Sequence, residues 1–193
     1  SKRIAPKGLG EEIRNACRNC DVESIKGYVT EWDGHHVLDE EDDCGWSTIH
    51  WAVKKGCVDG ALFIMSKWVS PYLMEEDQKK QWLLRLEKKD DDGQTLMMFA
   101  AIAGSTELIR FFISKGCNKN VQNNDGFSAL IWAAYHGQLN TVRYLVESLA
   151  QIESRTKGGK TALQCAIVGG EKKNKDVIEY LRYSEELRGH ISA

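Results

Sequence analysis

A chain of 193 residues with 42% apolar side chains holds enough for one packed domain. Its formal net charge of −2 argues against a nucleic-acid binder, whose footprint is a clearly basic domain. No apolar run reaches the ~18 residues of a membrane span, and no charged start leads into an apolar signal segment. Ser1 in place of an initiator Met predicts a processed, trimmed or partial chain.

In chain order, the first predicted helix pair runs through Ile13, Ala16 and Cys17 and on through Val22, Ile25 and Val29. Cys20 separates the two helices. No turn block precedes this pair, as expected of a terminal cap. A second unit opens at Gly45, and its block Gly45–Ala52 reads Gly-x-Ser/Thr-x-apolar-x-x-Ala. The same block returns at Gly93–Ala100, Gly126–Ala133 and Gly159–Ala166, each with a second Gly eleven residues after the first: Gly56, Gly104, Gly137 and Gly170. The last two block starts follow the preceding one by 33 residues each, and a fixed period of this length signals stacked repeats.

Within the unit at Gly93, Asp90–Gly93 reads as a turn and Thr95 as the cap of a short helix. Met97, Phe99, Ala100 and Ala101 line that helix, and Gly104 closes it in a left-handed conformation. Thr106–Ser114 forms a second helix with Leu108, Ile109, Phe112 and Ile113 inward. The chain then returns through 117–122 to the next turn. Ala16, Ala52, Ala100, Ala133 and Ala166 lie 36, 48, 33 and 33 residues apart, so the fifteen-residue insertion falls near 66–89. There, Ser70 and Pro71 read as a helix start, and Leu73, Trp82, Leu83 and Leu86 as a stripe packed on the neighbouring units, the alternative being a docking element specific to this protein. A shorter insertion at 171–175 predicts a solvated, charged stretch.

This order of turn, helix, turn, helix and return resembles the ankyrin repeat. The resemblance covers roughly 9–183 and implies an all-α solenoid of about five helix-turn-helix units joined by β-hairpin-like turns, with bounds 9–38, 42–89, 90–122, 123–155 and 156–188. The family's Pro is replaced by Thr48, Leu96, Ala129 and Ala162. Its His survives only as His50; Met98, Ile131 and Gln164 stand elsewhere. In the family that His ties neighbouring turns, so those ties are in doubt here.

Candidate chemistry is thin. Cys17 and Cys20 are formally a CxxC, but His35 and His36 lack the spacing of a zinc site and the two cysteines fall in small-residue packing slots. All six cysteines read as reduced thiols of a cytoplasmic or nuclear protein. His50 reads as a structural hydrogen-bonder rather than a base. The acidic runs 39–43 and 90–92 lack the calcium-loop pattern and read as solvated tips. No catalytic residue, cofactor or metal is expected.

The resemblance implies a concave binding face built from turn tips and first helices. The slots expected to be exposed there are Trp46, Lys54, Lys55, Asp91, Asp92, Gln94, Ile102, Asp125, Phe127, Tyr135, His136, Lys157 and Lys160. Trp46, Phe127, Tyr135 and Ile102 mark an interaction site, the alternative being that Trp46 and Phe127 pack on neighbouring turns. Trp51, Phe99 and Trp132 are expected in the core. The reading is a monomeric, non-catalytic scaffold or adaptor that binds a protein or peptide, with no nucleic-acid partner and no membrane insertion. Ile49–Ala52 and Leu130–Tyr135 also loosely resemble repeats of ankyrin-bearing palmitoyltransferases. The alternative is therefore the soluble segment of such a membrane enzyme or of a channel.

Overall fold

The computed structural model describes residues 8–31, 38, 41–43, 45–68 and 74–191. These form helices α1 (Leu9–Arg18) and α2 (Val22–Glu31), α3 (Thr48–Lys54) and α4 (Val58–Ser66), and α5 (Glu75–Leu86). They continue with α6 (Leu96–Ala103) and α7 (Thr106–Ser114), α8 (Ala129–His136) and α9 (Leu139–Glu147), and α10 (Ala162–Val168) and α11 (Lys175–Ile191). No strand occurs among the described residues. One helix pair lies in each expected unit, and α11 runs past the last bound to Ile191.

The first helices stack in one row: α1 on α3, α3 on α6, α6 on α8, and α8 on α10. Small side chains permit this. Ala52, Ala100, Ala133 and Ala166 are fully buried, so adjacent helices meet across a methyl group. The second helices make an outer row, α2 on α4, α7 on α9 and α9 on α11. Ile25, Ile64, Leu108, Leu145 and Leu181 fill the space between rows. Burial of each such side chain contributes about 1.5–3 kcal/mol against exposure.

Between α4 and α7 the insertion helix α5 forms a bridge. Trp82 of α5 lies 6.3 Å from Trp68, just after α4, and 5.4 Å from Phe111 of α7, centroid to centroid. Leu86 is buried, while Leu84 points to solvent. The packing expected of Trp82 and Leu86 is therefore present. The helix starts at Glu75; Ser70, Pro71 and Leu73 lie outside the described residues, as do Cys44, His35, His36 and 39–40.

The helix caps are less uniform than the repeated Ser or Thr suggests. Ser128 accepts a hydrogen bond from the Ile131 N–H at 3.3 Å and Thr161 from the Gln164 N–H at 3.4 Å. Thr95 occupies the N-cap of α6 with extended backbone but makes no side-chain cap bond.

Candidate functional site

The turn tips are built alike. Asp42, Asp90, Asn123 and Thr156 each stand three residues before the turn Gly. In each, the backbone N–H donates to the carbonyl four residues on: Trp46, Gln94, Phe127 and Lys160, all at 3.0 Å. Each side-chain oxygen also accepts that residue's N–H, from 2.7 Å at Asp90–Gln94 to 3.2 Å at Thr156–Lys160. An acceptor side chain at this place closes the loop that the left-handed Gly makes possible. The turns are thus hydrogen-bonded like hairpin loops without strands behind them.

Successive tips are joined through the backbone. The Asn124 N–H donates to the Asp92 carbonyl at 2.9 Å, and the Lys157 N–H to the Asp125 carbonyl at 2.8 Å. The Asn124 amide donates to the Asp91 carbonyl at 3.0 Å. The carboxylates of Asp91, Asp92 and Asp125 and the side chains of Lys157 and Lys160 stay exposed beside these joints. Gln94 is half-buried, with its side-chain oxygen buried and without a partner.

The aromatic residues pack more than expected. Trp46 is half-buried: its indole N–H donates to Asp90 of the next unit at 2.9 Å, and its ring meets Phe99 edge-on at 4.9 Å. Phe127 stacks on Trp132 at 4.4 Å. Trp46 therefore fastens unit two to unit three, whereas Phe127 packs within its own unit. Phe99 is in the core, but Trp51 and Trp132, expected there, are only half-buried. Tyr135, His136 and Ile102 are half-buried; Lys54 and Lys55 are exposed.

Two cations lie on this aromatic edge. The Arg18 guanidinium is 4.2 Å from the centre of the Trp51 ring, and the Lys54 ammonium is 4.0 Å from Trp46 and 5.5 Å from Trp51. Asp42 accepts the Trp51 indole N–H at 3.0 Å, which orients the plate on which they rest.

His50 is a structural group in its own unit. Its Nδ1 accepts the Ser47 N–H at 3.1 Å, which places the proton of the neutral ring on Nε2. Burial pushes its pKa down to about 4. Nε2 has no partner, so the tie to a neighbouring turn that the family makes is not made here. In the last unit Gln164 takes the same role, accepting the Thr161 N–H at 3.0 Å.

The cysteines correct one expectation. Cys20 and Cys57 form a disulfide, with Cα atoms 5.3 Å apart, instead of standing as separate thiols. The reason is register. Cys20 fills the slot held by Gly56, Gly104 and Gly137 and takes their left-handed backbone, φ 53°. Cys57 follows the equivalent Gly of the next unit, and the stack brings the two together. Cys17, Cys117 and Cys165 are buried free thiols; burial raises Cys17 to about 12.

The same register carries a device that the sequence reading missed. The Gln138 amide, just after Gly137, reaches back to the Ile102 carbonyl of the unit before, at 3.0 Å. Asn174 does the same from the last unit, donating to the Tyr135 carbonyl at 3.0 Å and to Ala166 at 2.8 Å. The residue after the inter-helix Gly was the available signal for Cys57 and Gln138. Asn174 was hidden because the insertion at 171–175 displaces it, and that stretch is solvated only in part: Asn174 is 1% exposed. At the remaining junction stands Ser105, too short to reach, with its hydroxyl buried and unpartnered.

A family model described as ankyrin repeats in three copies matches residues 13–123, 72–156 and 98–188. The chain belongs to the ankyrin-repeat family. It is similar to the rat ankyrin repeat and SAM domain-containing protein 6, 35% identical over 78 residues, which is 40% of this chain and 9% of that protein. It is similar also to mouse protein phosphatase 1 regulatory subunit 12A, 33% identical over 96 residues, or 50% of this chain and 8% of that protein. Palmitoyltransferase AKR1 of Saccharomyces cerevisiae is 24% identical over 125 residues, 65% of this chain and 15% of that protein. The chain thus spans a small part of each relative's length.

Proposed function

We propose that the chain is a non-catalytic interaction module that binds a protein or peptide along the face made by α1, α3, α6, α8, α10 and the turn tips. The observation that carries this is the continuous row of first helices, which sets Lys54, Ile102 and Tyr135 side by side on one surface. Backbone joints hold the tips before any partner arrives, which lowers the ordering cost of binding. The polar groups best suited to catalysis are occupied otherwise: His50 in a helix start, Asp42 and Asp90 by indole and backbone N–H donors. The test is capture of partners by wild type beside a Lys54→Glu/Tyr135→Ala/His136→Ala variant. Loss of the same partner at unchanged helical signal is expected; identical capture by both proteins rejects this face.

A second reading, that the chain is the ankyrin segment of a longer membrane enzyme, is favoured by the likeness to AKR1 over 65% of the chain. Among the described residues no helix is long and apolar enough to cross a membrane, so the enzyme would lie in sequence beyond this stack. The reading frame of the full transcript tests it; absence of a downstream apolar, cysteine-rich region rejects it. We place the module in the cytoplasm or nucleus, where reducing conditions would open the Cys20–Cys57 disulfide that the structure shows. Thiol trapping in acid-quenched cells checks this, and a pair found fully oxidised overturns the placement.

A further inference from the structure

The junctions between units are fastened unequally at the inter-helix turns. At the last two, an amide makes the tie: Gln138 to the Ile102 carbonyl and Asn174 to the Tyr135 carbonyl, both at 3.0 Å. Between units two and three, Ser105 is too short and its hydroxyl has no partner. Between units one and two, Cys57 stands where Ser105 and Gln138 stand later, and its tie is the bond to Cys20.

The two kinds of tie exclude one another. The amides fit because the earlier unit offers Gly: a Cβ on Gly104 would collide with the Gln138 amide, and one on Gly137 with the Asn174 amide. Cys20 fills that slot in unit one, with a left-handed backbone, φ 53°, that an L-residue disfavours. An amide strap has no room there. A thiol is only a weak hydrogen-bond donor, so Cys57 ties nothing once the bond opens. Trp46 still holds unit two to unit three through Asp90, so the loose seam then lies between units one and two. Unit one packs there through α1 on α3 and α2 on α4, and a unit of a repeat stack is held by such neighbour interfaces.

We propose that Cys20–Cys57 is a reversible redox latch, which seats unit one on unit two when oxidised and releases it when reduced by a small thiol of the glutathione class. Cys20 is exposed and Cys57 only 1% exposed, so exchange starts at Cys20. A glutathione thiolate attacks the Cys20 sulfur, forms a mixed disulfide there and expels Cys57 as a thiolate, which takes up a proton. A second glutathione thiolate attacks the glutathione sulfur of that mixed disulfide and expels Cys20, protonated in turn. Two glutathione thiols become one glutathione disulfide, and two electrons pass to the protein; the reverse exchange closes the latch. Disulfides of reducing compartments are typically transient and redox-sensing. The latch does not rest on the first-helix face being a binding surface.

Cys17 reports its state. It lies in α1 in the slot held by Val53, Ala101 and Ala134 in later units, all fully buried by the neighbouring helix. Burial raises its pKa to about 12, so the thiol is inert while unit one is seated.

The experiment has two arms on the full chain. Hydrogen exchange of wild type, followed by mass spectrometry, compares excess reduced with excess oxidised glutathione. Amides of α1 and α2 are expected to exchange at least about tenfold faster in the reduced buffer, with α8 to α10 unchanged. Iodoacetamide labelling without glutathione, read peptide by peptide, then compares variants. Cys20→Ser/Cys57→Ser is expected to label at Cys17 at least about tenfold faster than oxidised wild type, with Cys117 and Cys165 unchanged. Cys20→Gly/Cys57→Gln restores the Gly slot and gives an amide that reaches the Arg18 carbonyl, the counterpart of Ile102, so its Cys17 stays as slow as in oxidised wild type. A bond that reduced glutathione leaves closed in the folded protein, equal α1 exchange in the two buffers, or a Gly/Gln protein as reactive as the Ser protein overturns the latch. If circular dichroism shows the Ser protein unfolded, the exchange arm on wild type decides.

Discussion

Replacing Asn174 by Ala is expected to loosen the last unit from the one before it. The side chain is 1% exposed and its amide donates to three backbone carbonyls, Ala166 at 2.8 Å, Tyr135 at 3.0 Å and, more weakly, Ala134 at 3.4 Å. Each bond contributes about 1 kcal/mol net, and each buried carbonyl left without a donor adds a desolvation cost. The sum is about 2–4 kcal/mol, or roughly 5–15 °C in melting temperature for a chain of this size. Because a repeat stack is held by neighbour interfaces, the loss falls on α10 and α11 first. Urea unfolding followed by far-UV circular dichroism and by tryptophan fluorescence reads both the size and the place, since Trp132 lies in the adjoining unit. Asn174→Asp keeps the shape but sets a carboxylate against carbonyl oxygens, so it must cost more than Ala. The reverse change, Ser105→Gln, supplies the missing reach at the junction of units two and three and is expected to gain about 1 kcal/mol. An Asn174→Ala protein within 0.5 kcal/mol of wild type, or an Asp variant milder than Ala, would refute the strap.

His50 gives a pH signature. Its folded pKa of about 4 lies below the unfolded 6.5, so between these values the unfolded chain takes up a proton that the folded one refuses. Stability is therefore lost as pH falls from 6.5 to about 4, by about 3 kcal/mol in all, and this contribution levels off below that. His50→Gln, which copies Gln164, keeps the helix start and removes this slope; parallel denaturation curves across the window check it. Leu149 is 76% exposed with φ 63° at the position equivalent to Gly116, so Leu149→Gly is expected to stabilise by about 0.5–1 kcal/mol in a urea titration. Reducing Cys20–Cys57 opens a constraint across a sequence separation of 37 residues, worth roughly 3–4 kcal/mol in chain entropy. Unfolding with and without reductant measures it, and a Cys20→Ser protein should match the reduced form.

The repeat itself was legible because its physics is local. A Gly that must turn left, an acceptor three residues before it and an Ala where two helices touch recur at fixed spacing. Each follows from steric and hydrogen-bonding demands within one unit. The same locality misled the reading of the face. Trp46 looks exposed from its own unit, and only the neighbouring Asp90 and Phe99 turn it into a fastener.

By itself, the sequence determined the repeating helix pair and the Ala positions at which successive pairs touch. The tertiary structure alone decided which side chains span the junctions: the Cys20–Cys57 bond, the Gln138 and Asn174 straps, and the gap at Ser105. It also decided that Arg18 and Lys54 rest on tryptophan faces. These are contacts between residues more than 30 positions apart in most cases, set by how one unit sits on the next. A pattern with a 33-residue period places each residue in its own unit, but it holds no record of what the adjoining unit offers in return.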